Sequence, residues 1–221
     1  MIIIITGGIG SGKTLSLVKE IIDRNQKTFT NFKLYNTEYH RLKEQNILMK
    51  DPDDKKKLKV NFDFWKSQKK ESGFDIYLDE FHNLMNARRG MSKRNVVLSD
   101  WLSQIRKILG DSELHKLYLI SQKLRRIDVN STDLCEKAIT CHKVQYPDLL
   151  IATEIVQNNK IVIKNLPLTM IYKYEFKSAE ALRDFENYGI GKRKMSRFVG
   201  NWYYKYYDSF ELVEFGGDDY I

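Results

Sequence analysis

Near its start the chain contains a segment that fits the pattern G-x-x-x-x-G-K-[ST], which is typical of phosphate-binding loops. It follows an apolar run at residues 2–5 and precedes a periodic apolar stretch at residues 15–22, so strand, loop and helix stand in the required order. A flexible Gly/Ser turn before a helix is the alternative, and the complete context favours the phosphate-binding loop. The loop residues are Gly7, Gly8, Ile9, Gly10, Ser11, Gly12, Lys13 and Thr14.

Each residue type in this loop has a physical role in binding a nucleoside triphosphate. Glycines allow backbone N–H groups to curl around the β-phosphate. Lys13 brings a positive charge to the β- and γ-phosphate oxygens, and the Thr14 hydroxyl is a ligand for Mg²⁺. The sequence therefore predicts ATP and Mg²⁺ as cofactors.

The second half of a nucleotide site is an acidic residue at the end of another buried strand. A β-prone run at residues 74–78 ends in two adjacent carboxylates, Asp79 and Glu80, as a Walker B strand does. Asp79 is predicted to hold Mg²⁺ through water, and Glu80 to orient and deprotonate the attacking water. Most Asp-Glu pairs are solvated surface charges, but here the pair shares a chain with a phosphate-binding loop. The second carboxylate favours an ATPase over a nucleotide switch.

A further apolar run at residues 116–120 ends in Ser121 and Gln122. If this strand lies between the other two, the Gln122 amide stands beside the γ-phosphate and acts as a sensor of hydrolysis. A strand that merely ends in a polar pair is the alternative, and the residues alone do not decide between the two.

In this order the motifs resemble the FtsK/HerA superfamily of P-loop ATPases. Within it, the closest resemblance is to zona occludens toxin-like ATPases, viral morphogenesis proteins typified by filamentous phages. The resemblance covers residues 1–146 well and the tail loosely. Beside the phosphate-binding loop, it is carried by the strand at residues 28–32 with its Thr30-Asn31 pair, the Asp79-Glu80-Phe81-His82 box, Ile120-Ser121-Gln122 and the element at residues 207–213.

The resemblance implies a RecA-like ASCE α/β fold, assembly into an oligomeric ring, and ATP hydrolysis coupled to DNA translocation and packaging or to virion assembly. Filamentous-phage members usually carry a transmembrane span after the ATPase domain. This sequence has no apolar run near the roughly eighteen residues that a span needs. We therefore expect either an anchor outside this chain or a soluble relative closer to viral genome-packaging ATPases.

The composition is that of one α/β domain with an elaboration. We expect an ATPase core at residues 1–146 and, packed on it, a β-hairpin, short helix and aromatic tail at residues 147–221. Cys135 and Cys141 are expected to be free thiols of a cytoplasmic protein. Because the first strand begins at residue 2, a cleaved signal peptide is not expected.

The chain carries 37 Lys and Arg against 29 Asp and Glu, a formal net charge of +8. Such an excess fits salt-sensitive contacts with the DNA backbone, although solvated faces are the alternative, above all for residues 55–57. In a ring, an arginine could reach a neighbour's γ-phosphate as a finger. Arg88 and Arg89 are the first candidates, and Arg106 and Arg125 follow. The basic clusters lie at residues 55–57, 88–94, 123–126 and 192–197.

Hydrophobic periodicity predicts a mostly parallel sheet flanked by helices. Gly110 is predicted to end a helix, and a hairpin is predicted after Pro147. The aromatic run at residues 202–207 suits base stacking or packing, and packing is the favoured interpretation. Strands are predicted at residues 2–6, 28–35, 74–79, 116–120, 138–144, 149–156, 161–163 and 168–176, and helices at 13–25, 37–49, 62–70, 96–109, 128–137 and 178–188.

Two classes of function remain. One is an oligomeric ATP-driven motor that acts on DNA or on virion assembly. The other is a nucleotide-dependent scaffold or membrane-assembly partner with slow or no hydrolysis. A small-molecule kinase fits less well, because Glu80 and Gln122 suit attack by water better than attack by a bound acceptor.

Overall fold

The computed structural model describes residues 1–52, 54, 57–68, 74–85, 92–109, 114–127 and 129–208, with the backbone alone at 106, 129 and 130. The strands are β1 (Ile2–Thr6), β2 (Lys27–Thr30), β3 (His40–Arg41), β4 (Leu48–Lys50), β5 (Leu58–Val60), β6 (Phe74–Leu78), β7 (Leu117–Ile120), β8 (Lys137–Gln157), β9 (Lys160–Phe176) and β10 (Lys194–Val199). The helices are α1 (Lys13–Arg24), α2 (Glu44–Ile47), α3 (Phe62–Gln68), α4 (Phe81–Leu84), α5 (Lys93–Leu109), α6 (Val129–Asp133) and α7 (Ala179–Tyr188), with 3₁₀ helices at Leu124–Arg126 and Gly200–Tyr206.

One large sheet organises the chain, with the strand order β10-β9-β8-β1-β7-β6-β2-β3. The strands from β8 to β3 pair in parallel, and β9 and β10 extend the sheet in antiparallel fashion. β7 lies between β1 and β6, which is the condition on which the prediction for Gln122 depends. This is the predicted α/β fold of RecA-like ASCE P-loop NTPases, with an added antiparallel hairpin.

The central strands are buried on both faces, which explains their unbroken apolar sequences. On one face, α1 packs on Ile3, Ile5 and Tyr118. On the other face, α5 contributes Trp101 and Leu102 to the larger apolar cluster. Burial on both faces fixes the strands, so that the carboxyl ends of β1, β6 and β7 form a rigid edge for a site.

The predicted helix at residues 37–49 is wrong. That segment forms β3, the four-residue α2 and β4. Its buried apolar residues, Leu42, Ile47 and Leu48, are not spaced to lie along one helical face, so their burial favours short extended pieces. The second predicted strand is also shorter than expected and ends at Thr30, and α6 ends at Asp133. Gly110 and Asp128, the predicted helix boundaries, lie outside the described residues.

The predicted break near Pro147 is absent, since β8 runs for 21 residues and pairs with the 17 residues of β9. The pairing register shifts between Tyr146 and Leu150, and this bulge accommodates a proline that has no N–H to donate. The runs predicted at residues 138–144 and 149–156 are therefore one strand. The proposed division of the chain at residue 146 stays a prediction.

The aromatic tail forms the 3₁₀ helix Gly200–Tyr206. Tyr203, Tyr206 and Tyr207 pack against the apolar cluster beside α1, as the packing interpretation predicted, while Trp202 is 67% exposed. Residues 209–213 of the family-like tail element lie outside the described residues. No helix in the described part of the chain is both long and apolar enough to cross a membrane.

A buried ion pair ties α1 to β6 at the edge opposite the phosphate-binding loop. Asp75 is fully buried and accepts hydrogen bonds from Arg24, the Lys116 N–H (2.7 Å) and the Tyr77 hydroxyl (3.2 Å).

Replacement of Asp75 by Ala leaves the guanidinium of Arg24 with no carboxylate partner. Asp75→Ala is therefore expected to lower the free energy of unfolding, measured by urea denaturation, by about 3 kcal/mol. The control is Asp23→Ala, which breaks an exposed pair with Lys19 and should change stability by less than about 1 kcal/mol. Equal losses in both variants would contradict the role given to Asp75.

Candidate nucleotide-binding site

The loop between β1 and α1 has backbone geometry that only glycine tolerates well. Gly10 and Gly12 have φ values of 70° and 87°, in the left-handed region. A Cβ atom on Gly12 would stand 2.3 Å from Ile171 Cδ1, and one on Gly7 would stand 2.7 Å from the carbonyl oxygen of Cys141. The hairpin strands β8 and β9 therefore leave no room for a side chain at Gly7 or Gly12. The Ser11 hydroxyl is shielded from solvent and has no hydrogen-bond partner among the described residues, which fits a phosphate ligand.

Lys13 begins α1 and turns back over the loop. Its Nζ donates hydrogen bonds to the carbonyl oxygens of Gly7 (3.0 Å) and Gly8 (2.9 Å), and the residue is 7% exposed. Burial lowers the pKa of Lys13, while the negative charges of Asp79 and Glu80 oppose that shift. The ammonium group is thus held within the loop, beside two carboxylates that attract a cation.

The two halves of the predicted site meet in one hydrogen bond. Thr14 Oγ1 donates to Asp79 Oδ2 at 2.6 Å, which joins the start of α1 to the end of β6. The Asn31 side chain fixes the position of Asp79, since it donates to the Asp79 carbonyl and accepts from the Asp79 N–H, both at 2.8 Å. Burial raises the pKa of Asp79, while the Thr14 hydroxyl lowers it. A hydroxyl and a carboxylate at this distance suit the all-oxygen coordination that Mg²⁺ prefers.

Glu80 follows Asp79 in a left-handed backbone conformation, with φ 50° and ψ 39°, and precedes α4. Its Oε2 lies 3.2 Å from His82 Nδ1. Burial lowers the pKa of His82, and the nearby charge of Arg126 lowers it further, so the imidazole is neutral at pH 7. Glu80 therefore stands at the end of β6 beside a neutral neighbour, and it lines the same cavity as Lys13 and Thr14.

Gln122 follows β7 and stands between the phosphate-binding loop and Glu80 along the sheet edge. Its Oε1 accepts a hydrogen bond from Arg126 Nη1 at 2.5 Å. A cavity of about 310 Å³ brings Lys13, Thr14, Glu80 and Gln122 together. It is lined by Ile9, Gly10, Ser11, Gly12, Lys13, Thr14, Leu15, Glu80, Gln122, Lys143, Tyr204 and Tyr207.

A larger cavity of about 640 Å³ opens on the other side of the loop. Gly7, Gly8 and Gln122 line it together with basic side chains, among them Arg125 and Arg193, but Glu80 does not. Asp79 lines neither cavity, yet its hydrogen bond to Thr14 ties it to the smaller one, which is therefore the better candidate for the predicted chemistry. Of the finger candidates, Arg125 lies in the larger cavity, whereas Arg88, Arg89 and the side chain of Arg106 lie outside the described residues.

Sequence reasoning did not identify Asn31, Lys143, Tyr204 and Tyr207 as parts of the site. Asn31 belonged to a family-like pair, yet its partner across the sheet edge was not apparent. The other three come from segments far along the chain that only the fold brings to the loop.

The family model of zonular occludens toxin (Zot) matches residues 1–149 of this 221-residue chain. The chain belongs to the Zot family. No curated protein matches it. Among solved structures, this Zot-family chain is similar to the N-terminal domain of zonular occludens toxin from Neisseria meningitidis, with 20% identity, 89% of this chain and 92% of that chain covered, and a TM-score of 0.49.

Two other structures are more distant. The genome packaging NTPase B204 of Sulfolobus turreted icosahedral virus 2, in complex with ATP-gammaS, has 10% identity, a TM-score of 0.46 and coverage of 88% of this chain and 95% of that chain. A KaiC-like protein of Pyrococcus horikoshii has 10% identity, a TM-score of 0.35 and coverage of 94% and 89%, respectively.

Proposed function

We propose that this Zot-family protein binds and hydrolyses ATP with Mg²⁺ and couples hydrolysis to DNA translocation and packaging or to virion assembly. The hydrogen bond of 2.6 Å between Thr14 Oγ1 and Asp79 Oδ2 carries the proposal. It joins the loop that would bind the phosphates to the carboxylate that would hold the metal. Asp79 is only 4% exposed, so this carboxylate is held in place beside the loop.

The loop residues from Gly7 to Thr14 supply the phosphate contacts. Backbone N–H groups at the start of α1 favour anions, and the Ser11 hydroxyl has hydrogen-bonding capacity to offer. Lys13 would exchange its bonds with the loop carbonyls for the β- and γ-phosphate oxygens. Thr14 and Asp79 would hold Mg²⁺, which when bound neutralises charge on those oxygens.

Glu80 and Gln122 supply the hydrolytic step. Glu80 accepts a proton from the attacking water, and the neutral His82 beside it does not compensate its charge. Gln122 lies in the same cavity and orients the water or contacts the γ-phosphate through its amide. Arg126 donates a hydrogen bond to Gln122, so a movement of this amide would also shift the basic segment after β7.

The same basic segment favours a nucleic acid as the moved substrate. Lys123, Arg125 and Arg193 line the larger cavity, next to the phosphate-binding loop. Such clusters suit the phosphate backbone irrespective of base sequence. A homo-oligomeric ring, in which an arginine of one subunit completes the site of the next, remains part of this proposal.

We expect DNA to stimulate steady-state ATP hydrolysis, because a motor couples turnover to its substrate. Hydrolysis would be measured with single-stranded and double-stranded DNA at low and moderate salt. Stimulation should fade as salt rises, since each phosphate contact releases counterions. The matched variant is Lys123→Gln with Arg193→Gln, two residues of the larger cavity, which should lose stimulation and keep basal turnover. Turnover that is indifferent to DNA at low salt would rule out the DNA motor.

A scaffold that nucleotide binding organises is the second candidate, and the long hairpin favours it. From the bulge to the turn, β8 and β9 expose large apolar side chains, with Leu149 54%, Leu150 61% and Ile163 72% exposed. Exposed apolar surface suits contact with a protein better than contact with DNA. ATP binding without measurable hydrolysis would favour this function.

A further inference from the structure

The smaller cavity has two sides that the sheet order distinguishes. β7 and β6 lie on one side of β1, and β8 lies on the other. Glu80 and Gln122, which follow β6 and β7, line the first side. Lys143, on β8, lines the second side. A triphosphate seated on the loop with its last phosphate toward Glu80 therefore directs its nucleoside toward β8.

The β8 side of the cavity carries an aromatic ring, that of Tyr204, together with Leu15 from the first turn of α1. Tyr204 packs on the apolar cluster formed by Leu15, Ile171 and Phe198, and the last two belong to β9 and β10, next to β8. Tyr207 also lines the cavity, but it packs edge-on against Phe32, which follows β2 on the opposite side (5.9 Å between ring centroids). Flat rings beside a phosphate site match the π-face of a nucleobase.

The 3₁₀ helix that carries Tyr204 is held firmly against the hairpin. Asn201 is 3% exposed and donates to Thr153 Oγ1 (3.0 Å) and to the Pro167 carbonyl (3.1 Å), and it accepts from the Thr169 N–H (2.7 Å). The Tyr204 hydroxyl lies 3.5 Å from Thr169 Oγ1. The ring is thus positioned before any ligand binds, which lowers the entropic cost of binding.

We propose that Tyr204 is the stacking platform for the base of the bound nucleoside triphosphate, with Leu15 beside it. This inference rests on the proposed nucleotide binding and adds the residue that recognises the nucleoside. The tail of the chain thereby contributes to the same site as the phosphate-binding loop. It also explains why a segment distant in sequence is anchored so firmly beside α1.

Calorimetry with ATP and with inorganic tripolyphosphate, each with Mg²⁺, tests this assignment. Tyr204→Leu keeps apolar volume for the cluster and removes the aromatic face. We expect the variant to bind ATP about tenfold more weakly, because the base loses the aromatic ring on which it stacks. Binding of tripolyphosphate, which has no base, should be unchanged.

Two matched variants complete the experiment. Tyr204→Phe should bind ATP as the parent does, and Trp202→Leu, at an exposed position of the same 3₁₀ helix, should alter neither ligand. Equal weakening of both ligands in Tyr204→Leu, or unchanged ATP affinity, would overturn the base site. If Tyr204→Leu does not fold, the affinities of the unmodified protein for ATP and for ribose 5-triphosphate are compared instead. Equal affinities would overturn the base site. Failure of the unmodified protein to bind ATP or tripolyphosphate would instead remove nucleotide binding itself.

Discussion

Lys13→Ala is expected to lose ATP binding almost entirely. The ammonium group is the positive charge that the loop holds within reach of the phosphates, and burial makes its interactions with anions stronger than at an exposed surface. Charge-assisted hydrogen bonds contribute about 1.5–3 kcal/mol each, so loss of one or two weakens binding by about a hundredfold or more. Titration calorimetry with ATP and Mg²⁺ measures this change.

Lys19→Ala is the matched control on the same helix. Lys19 pairs with Asp23 and its side chain is 25% exposed, so its removal takes away a similar charge at a distance from the loop. That variant should bind ATP as the parent does. Because Lys13 also bonds to the loop carbonyls, thermal unfolding must show that Lys13→Ala remains folded. A folded Lys13→Ala protein with normal affinity for ATP would refute the phosphate-binding loop.

The loop between β1 and α1 and the strand β6 could be predicted because each depends on contiguous residues. Glycines at fixed spacing determine the turn before α1, and the apolar run of β6 places Asp79 at its end. The role of Gln122 was only conditional, since the position of β7 between β1 and β6 depends on tertiary packing. Hydrophobic periodicity identifies strands along the chain, but it does not give their order in the sheet.

Other parts of the site could not be predicted for the same reason. Asn31 and Asp79 pair across 48 positions of sequence, and no local pattern encodes that contact. β8 continues through Pro147, and β9 pairs with it along its whole length. The 3₁₀ helix that follows later in the chain therefore lies beside α1, where Tyr204 contacts Leu15. A proline normally indicates the end of a strand because it has no N–H to donate. The bulge at Pro147 needs no such hydrogen bond, so β8 continues through it. The proposed site thus combines contiguous loop residues with side chains that only the fold brings to the loop.

Glu80→Gln is expected to retain ATP binding and to lose turnover. The amide keeps the size and hydrogen-bonding capacity of the side chain, and Gln has no greater difficulty than Glu with the left-handed backbone at this position. It cannot accept a proton from water, and general base catalysis contributes about 10²–10⁴-fold to such a step. Steady-state phosphate release should fall by about that factor, while calorimetry should show ATP affinity within about threefold of the parent, since binding does not require the base.

Glu44→Gln serves as the matched control, because Glu44 pairs with Arg94 on α5 and lies outside the cavity. It should hydrolyse ATP at the parent rate. His82→Ala tests the role of the neighbouring imidazole separately from that of the Glu80 carboxylate. If the neutral imidazole only packs beside the base, this variant should reduce turnover far less than Glu80→Gln does. Parent-level turnover in Glu80→Gln would remove Glu80 from the mechanism and leave Asp79 and Gln122 as the polar groups that could orient the water. Lost turnover together with lost ATP binding would make Glu80 a binding residue instead, and the assignment of a general base would have to be withdrawn.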